Sequence, residues 1–148
     1  MKMLVPVDGS ELALDAVRYA LRLRREGLQA SFVLATVQEP TFLYEMILSP
    51  NADVLERVAG AVGARALEGA QALFRAAGVP FESEIGGGDP ASILIEIAER
   101  KGCEAIILGA RGMGALRSAL LGSVSQAVLH ASKVPVTIVK HAEAETLR

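Results

Sequence analysis

Five short apolar runs punctuate the chain: Met3–Val7, Ser31–Val37, Phe81–Ile85, Glu104–Leu108 and Pro135–Val139. Each is separated from the next by a stretch long enough for a helix. Runs of this length, bounded by Gly, Pro and Asp, read as strands. Strands that alternate with helices predict an α/β fold with a parallel sheet covered on both faces, every crossover right-handed. The chain has 148 residues, 51% of them hydrophobic, enough for one well-buried core. A single domain over residues 1–148 is expected, with its core in about 1–140 and a polar tail at 141–148.

Helix signals fill the intervals. Ser10 is placed to cap a first helix whose inner face carries Leu14, Val17 and Leu21, and Gly27 stops it. From Asn51 a second helix carries a stripe of Val58, Val62, Ala66, Ala70, Leu73 and Ala77. Gly60, Gly63 and Gly69 weaken it, which implies close packing against a neighbour. The third opens at Asp89-Pro90, turns Ile93, Ile97 and Ala98 inward and closes at Gly102. The last runs from Ser123 to Ser132 with Val124, Val128 and Ala131 on one face. Pro6 removes a ladder donor, so it belongs near the end of its strand. Phe81–Ile85 alternates apolar and polar residues and suits a strand nearer the sheet edge, whereas Gly86-Gly87-Gly88 reads as a loop. Between Glu39 and Pro50 an irregular apolar stretch, Phe42 to Ile47, is expected to cover something or to meet a partner.

Composition removes several classes of function. A net charge of −2, with Lys and Arg scattered, does not make a nucleic-acid face. Cys103 is the only cysteine, so no internal disulfide forms, and one Cys with two His does not make a zinc site. MKMLVPVDGS lacks a secretory apolar region, and no run nears the ~18–20 residues of a membrane span. A cytoplasmic location, away from membranes, is expected.

The stretch GARGMGALRSALLGS, Gly109 to Ser123, follows the fourth apolar run. It is not the dinucleotide fingerprint G-x-G-x-x-G, and Gly114 is followed by Ala115 rather than by the Lys of a Walker loop. Its spacing is Gly109, two residues, Gly112, nine residues, then Gly122-Ser123. Bare backbone at Gly109 and Gly112 suits an anion-binding nest. Gly122 then opens a helix whose unpaired N–H groups and positive dipole end favour phosphate, with hydroxyls of Ser123 and Ser125 in its first turn. The first strand also ends in a candidate binding turn, Asp8-Gly9-Ser10. Ligands of such sheets bind beyond the strands' carboxyl ends, where strand order reverses. The first and fourth strands are therefore expected to be neighbours, with the reversal between them.

With these residues in place the chain resembles the universal stress protein family, whose ATP-binding members carry G-x2-G-x9-G-[ST] after the fourth strand. The likeness runs from VPVDGS to GSVSQAVLHASKVPVTIVK. It implies a Rossmann-like, five-stranded sheet of order 3-2-1-4-5 and homodimers that often pair through the last strand, Pro135 to Val139. By position, it implies that Asp8 contacts adenosine, with Pro6, Val7 and Ser10 around it, and that Val37 meets the adenine through its backbone. Gly109, Ala110, Arg111 and Gly112 would line the phosphates, facing Gly122, Ser123, Val124 and Ser125. Ala110 stands where many relatives have serine, keeping only the backbone donor; Thr36 stands where many have histidine, with little effect expected. The implied ligand is ATP, with AMP or ADP as alternatives and Mg²⁺ or Mn²⁺ accompanying the phosphates. No metal site of the protein's own is expected.

Catalytic equipment is sparse. Asp8 is the one carboxylate clearly placed at the motif, and neither His130 nor His141 is placed to activate a nucleophile. Arg111 reads equally as phosphate clamp or solvated charge; Arg117 reads as surface, and Cys103 as an inert core thiol. The reading is a dimeric, nucleotide-dependent switch or sensor in a stress response, with hydrolysis slow at most. A nucleotide-independent scaffold and a slow ATPase stay open.

Overall fold

The structure is a computed structural model that describes residues 1–39, 52–110 and 121–141. The five apolar runs form β1 (Lys2–Pro6), β2 (Ser31–Gln38), β3 (Glu82–Gly87), β4 (Ala105–Gly109) and β5 (Val136–Val139), all paired in parallel in the order β3-β2-β1-β4-β5. The chain builds outward from β1 to one edge, returns, and builds to the other. β1 and β4 are neighbours, in register at Met3–Ala105 and Leu4–Ile106, so strand order reverses between them as the two binding turns implied.

Side chains alternate across the sheet with the two-residue period of a strand. Met3, Val5, Val7, Phe32, Leu34, Ala105 and Ile107 enter one core under helices α1 (Leu14–Arg25) and α2 (Ala52–Ala76). Leu4, Val33, Ala35, Ile106 and Leu108 enter the other, under α3 (Pro90–Arg100) and α4 (Ser123–Ala131). Asp89 caps α3: its carboxylate accepts from the Ser92 N–H at 3.1 Å, and Pro90 opens the first turn. Gly27 and Gly102 end α1 and α3 at φ of 114° and 71°. In α1 the small residues Ala16 and Ala20 are buried with Val17, while Leu14 and Leu21 flank them, partly buried.

Three expectations need correction. The buried face of α2 is Gly63, Leu67, Ala70 and Phe74, about one position round from the expected stripe; Val58, Val62, Ala66 and Leu73 are half-buried and Ala77 is exposed. Phe74 chooses the face, because its ring meets Phe32 and Phe81 edge-on. Gly86 and Gly87 continue β3 rather than forming a loop, paired with Val37 and Gln38. A Cβ on Gly86 would stand 2.5 Å from Ile93 Cγ2, so the glycine admits α3. Ala131 is exposed at the end of α4.

The helix glycines differ in purpose. Gly63 lets Ile85 approach, since a Cβ there would lie 2.5 Å from Ile85 Cγ2. Gly60 has nothing within 4 Å of its missing Cβ. Gly60→Ala is therefore expected to stabilise the fold by about 0.8–1 kcal/mol, the helix-propensity difference, raising the calorimetric Tm by about 2–4 °C. An unchanged or lower Tm rejects that assignment.

Opposite the strands' carboxyl ends, Lys101 bridges Glu82 at 2.9 Å and Glu84 at 3.3 Å, with Lys2 on Glu82 and Arg100 on Glu84. Hydrogen bonds from Lys101 and Lys2 hold Glu82 below the ordinary carboxylate range. The charges alternating along β3 are thus accounted for by ion pairs at the amino-terminal end of the sheet. Cys103 is buried, and burial pushes its thiol up, which suits an inert packing role.

Candidate functional site

Pro6 ends the pairing between β1 and β4. The Val7 N–H donates to Ala35 O at 2.8 Å, toward β2. Backbone groups of successive strand residues point to opposite neighbours, so the position before it faces β4, and Pro6 has no N–H to give. The β1–β4 ladder accordingly runs only to Leu4–Ile106, while the β1–β2 ladder continues to Pro6–Ala35. The two central strands are no longer paired where the candidate binding turns begin.

The first turn follows at once. Gly9 takes φ of 89°, a conformation that favours glycine. It lets the Asp8 carboxylate fold over the turn, where Oδ1 accepts from the Ser10 N–H at 2.9 Å and from its hydroxyl at 2.6 Å. Ser10 Oγ in turn accepts from the Ala13 N–H at 3.1 Å. Ser10 thus caps a tight turn ahead of α1 rather than α1 itself, whose N-cap is Ala13. Val37 lies on β2, the strand next to β1, opposite Gly86 and half-buried.

The second half is closed by backbone bonds. Ala110 N–H donates to Val139 O of β5 at 2.9 Å. The Gly122 N–H donates to Ala110 O at 2.8 Å, so the chain that leaves β4 returns to it before α4 begins. Gly122 is the N-cap of α4, in extended conformation at φ −66° and without a side-chain cap. Ser123 is therefore the first helical residue, not the cap, and it is exposed. Ser125 is buried at 4% exposure and donates its hydroxyl to Gly109 O at 2.7 Å.

This geometry divides the candidates. The Ala110 and Gly122 amides are committed to backbone carbonyls, so Ala110 does not keep a free donor. The amides of Ser123, Val124 and Ser125 occupy the first turn, where helix geometry supplies no acceptor. Together with the Ser123 hydroxyl they form a donor set at the positive end of α4. Gln126 N–H bonds Gly122 O at 3.0 Å and closes the set. Arg111, Gly112 and Arg117, like the Phe42–Ile47 stretch, lie outside the described residues.

The buried, unpaired hydroxyl of Thr36 was not legible in the sequence. Thr36 sits on β2 opposite Ile85 and is 1% exposed, and its hydroxyl has no hydrogen-bond partner. A buried hydroxyl left unpaired costs about 1–3 kcal/mol. Thr36→Val, which keeps the shape, is expected to raise the urea midpoint by an amount equivalent to about 1–2 kcal/mol. A destabilised Thr36→Val protein would show that the hydroxyl is satisfied in solution.

Among the described residues neither histidine is hydrogen-bonded to the donor set. His130 is on the exposed side of α4. His141, expected in a frayed tail, is instead held: its Nδ1 lies 2.8 Å from Asp15 Oδ2 on α1. Residues 142–148 lie outside the described residues. Among the described residues no three His, Cys, Asp or Glu side chains gather to hold a metal ion, and no helix is long and apolar enough to cross a membrane.

Comparison with known proteins agrees with this architecture. The chain is 31% identical to universal stress protein YxiE of Bacillus subtilis over 145 residues, covering 94% of this chain and 98% of the relative. The structure of MJ0577, a Methanocaldococcus jannaschii protein, superposes with a TM-score of 0.80 at 25% identity, over 97% of each chain. A universal stress protein solved in complex with cAMP superposes at 0.66 and 26% identity, over 96% of this chain and 98% of that one. The model of the universal stress protein family matches residues 1–140, and the chain belongs to that family.

Proposed function

We propose that the protein binds an adenine nucleotide, ATP first among them, in the crevice between β1 and β4 and works as a nucleotide-dependent switch or sensor in the cytoplasm. One observation carries the reading: the Gly122–Ala110 hydrogen bond of 2.8 Å brings the amino-terminal turn of α4 to the end of β4. Unpaired amides, a dipole and an exposed serine hydroxyl then meet beside an opened parallel sheet, the setting in which phosphates bind. A family relative of similar fold takes cAMP, which supports an adenine ligand. Asp8 and Val37 serve the adenosine half, and the α4 turn the phosphates. Mg²⁺ or Mn²⁺ fits as a companion of the phosphates, because Asp8 is the one carboxylate among the described site residues and Mg²⁺ takes much of its shell from substrate oxygens and water.

A second copy is proposed to pair along β5. That strand is a sheet edge, half-exposed, and an open edge is a template for pairing. Leu129, on α4, is 45% exposed.

Calorimetric titration with ATP and Mg²⁺ tests the ligand, and mass spectrometry of small molecules released from freshly purified protein names it. Saturable binding of one nucleotide per chain is expected. Sedimentation should give the dimer mass. No heat with ATP, ADP, AMP or cAMP, and no released nucleotide, overturns the reading and leaves a scaffold.

A further inference from the structure

We propose that Ser125 is a positioning residue for the phosphate-binding turn, acting through Gly109 rather than by touching the ligand; this rests on the nucleotide reading above. Its hydroxyl makes the shorter of the two hydrogen bonds that tie the start of α4 to the end of β4. It donates to Gly109 O at 2.7 Å, and Ser125 is only 4% exposed. A hydroxyl has a single proton to give, and this one is spent on a carbonyl.

The link completes a small frame. Gly109 ends β4, and the next residue, Ala110, is held on one side by Val139 O and on the other by the Gly122 N–H. Gly122 is the N-cap of α4 and Ser125 is three residues on, one turn into the helix. The Gly122–Ala110 bond therefore fixes where the chain enters α4, and the Ser125–Gly109 bond fixes how the helix is rotated about that point. Rotation decides where the Ser123 and Val124 amides aim. A single anchor would leave it free; two anchors, on Gly109 and on the residue after it, do not. Donors held in place before the ligand arrives bind it with less ordering cost.

Amide hydrogen exchange of the nucleotide-free protein, and titrations with ATP and with adenosine, test this. In Ser125→Ala, exchange at Gly122 and Gln126, whose amides are bonded to Ala110 O and Gly122 O, should quicken, and ATP affinity should fall about tenfold, what about one hydrogen bond's worth of positioning converts to. Adenosine, which has no phosphate, should bind as before. Ser125→Thr, which keeps the hydroxyl, should restore both. In the wild-type protein the carbonyl ¹³C shift of Gly109, which reports the bond, should persist when ATP is added.

Each departure is decisive. Lost ATP affinity with unchanged exchange, or a Gly109 shift that moves as though the bond breaks on ATP binding, makes Ser125 a direct phosphate ligand and overturns the proposal. Faster exchange with ATP affinity unchanged makes the bond purely structural and also overturns it. Wild-type protein that binds no ATP at all removes the nucleotide reading and this proposal together, a result distinct from the other two.

Discussion

Phe74→Ala is expected to cost about 3–5 kcal/mol and to lower the Tm by roughly 10 °C or more. Phe74 is fully buried on α2. Its ring meets Phe32 of β2 at 5.2 Å between centroids and Phe81, just before β3, at 5.8 Å, with interplanar angles of 68° and 72°. Such edge-on pairs add about 0.5–1.5 kcal/mol beyond the area they bury. Arg75 lies over the outer ring, its Cζ 5.4 Å from the Phe81 centroid. Truncation leaves a cavity between a helix and two strands that are held apart by their own ladder, so collapse is limited. The loss is a large part of the roughly 5–15 kcal/mol that keeps a typical domain folded. Phe74→Leu should cost clearly less, because most of the volume is kept. Urea unfolding of both variants checks the pair; a cost below about 1 kcal/mol for the alanine variant is incompatible with this packing.

Ser123→Asp should separate folding from binding at the other end of the molecule. Ser123 is the first residue of α4 and is exposed, so a carboxylate there faces the helix dipole without being buried. That placement is worth about 0.3–1 kcal/mol to the helix, and the variant should be at least as stable as the wild type. The same charge occupies the donor set proposed here for the phosphates. Repulsion between unit charges about 4 Å apart is roughly 1–4 kcal/mol near a protein surface, which converts to a loss of ATP affinity from about fivefold to several hundredfold. Added salt should soften the loss, and adenosine binding should not change. Calorimetric titration reads the affinities and thermal melting the stability. Undiminished ATP binding in a stable Ser123→Asp protein would place the phosphates elsewhere.

Sheet, helices and reversal point were legible in the residues because their signals are local. Apolar runs of strand length, the Asp89-Pro90 opening of α3, and the stops at Gly27 and Gly102 each follow from the preferences of a few adjacent residues. The face of α2 was not legible. Its apolar residues spread widely around 25 positions, and only the rings of Phe32 and Phe81 select Leu67 and Phe74 as the inner side. Gly86 and Gly87 misled for a related reason: glycine disfavours a strand locally, but the approach of Ile93 excludes a side chain at Gly86, and β2 supplies the pairing.

The spacing of Gly109, Gly122 and Ser123 by itself determined which segments would face one another, since a chain that leaves a strand and re-enters as a helix must return to the sheet. Only the tertiary structure decided which donors remain. Val139 takes the Ala110 amide, Ala110 takes the Gly122 amide and Gly109 takes the Ser125 hydroxyl. The reason is physical: a hydrogen bond is settled by the group that stands opposite, and those partners come from β5 and the end of β4, remote in sequence from the donors they engage.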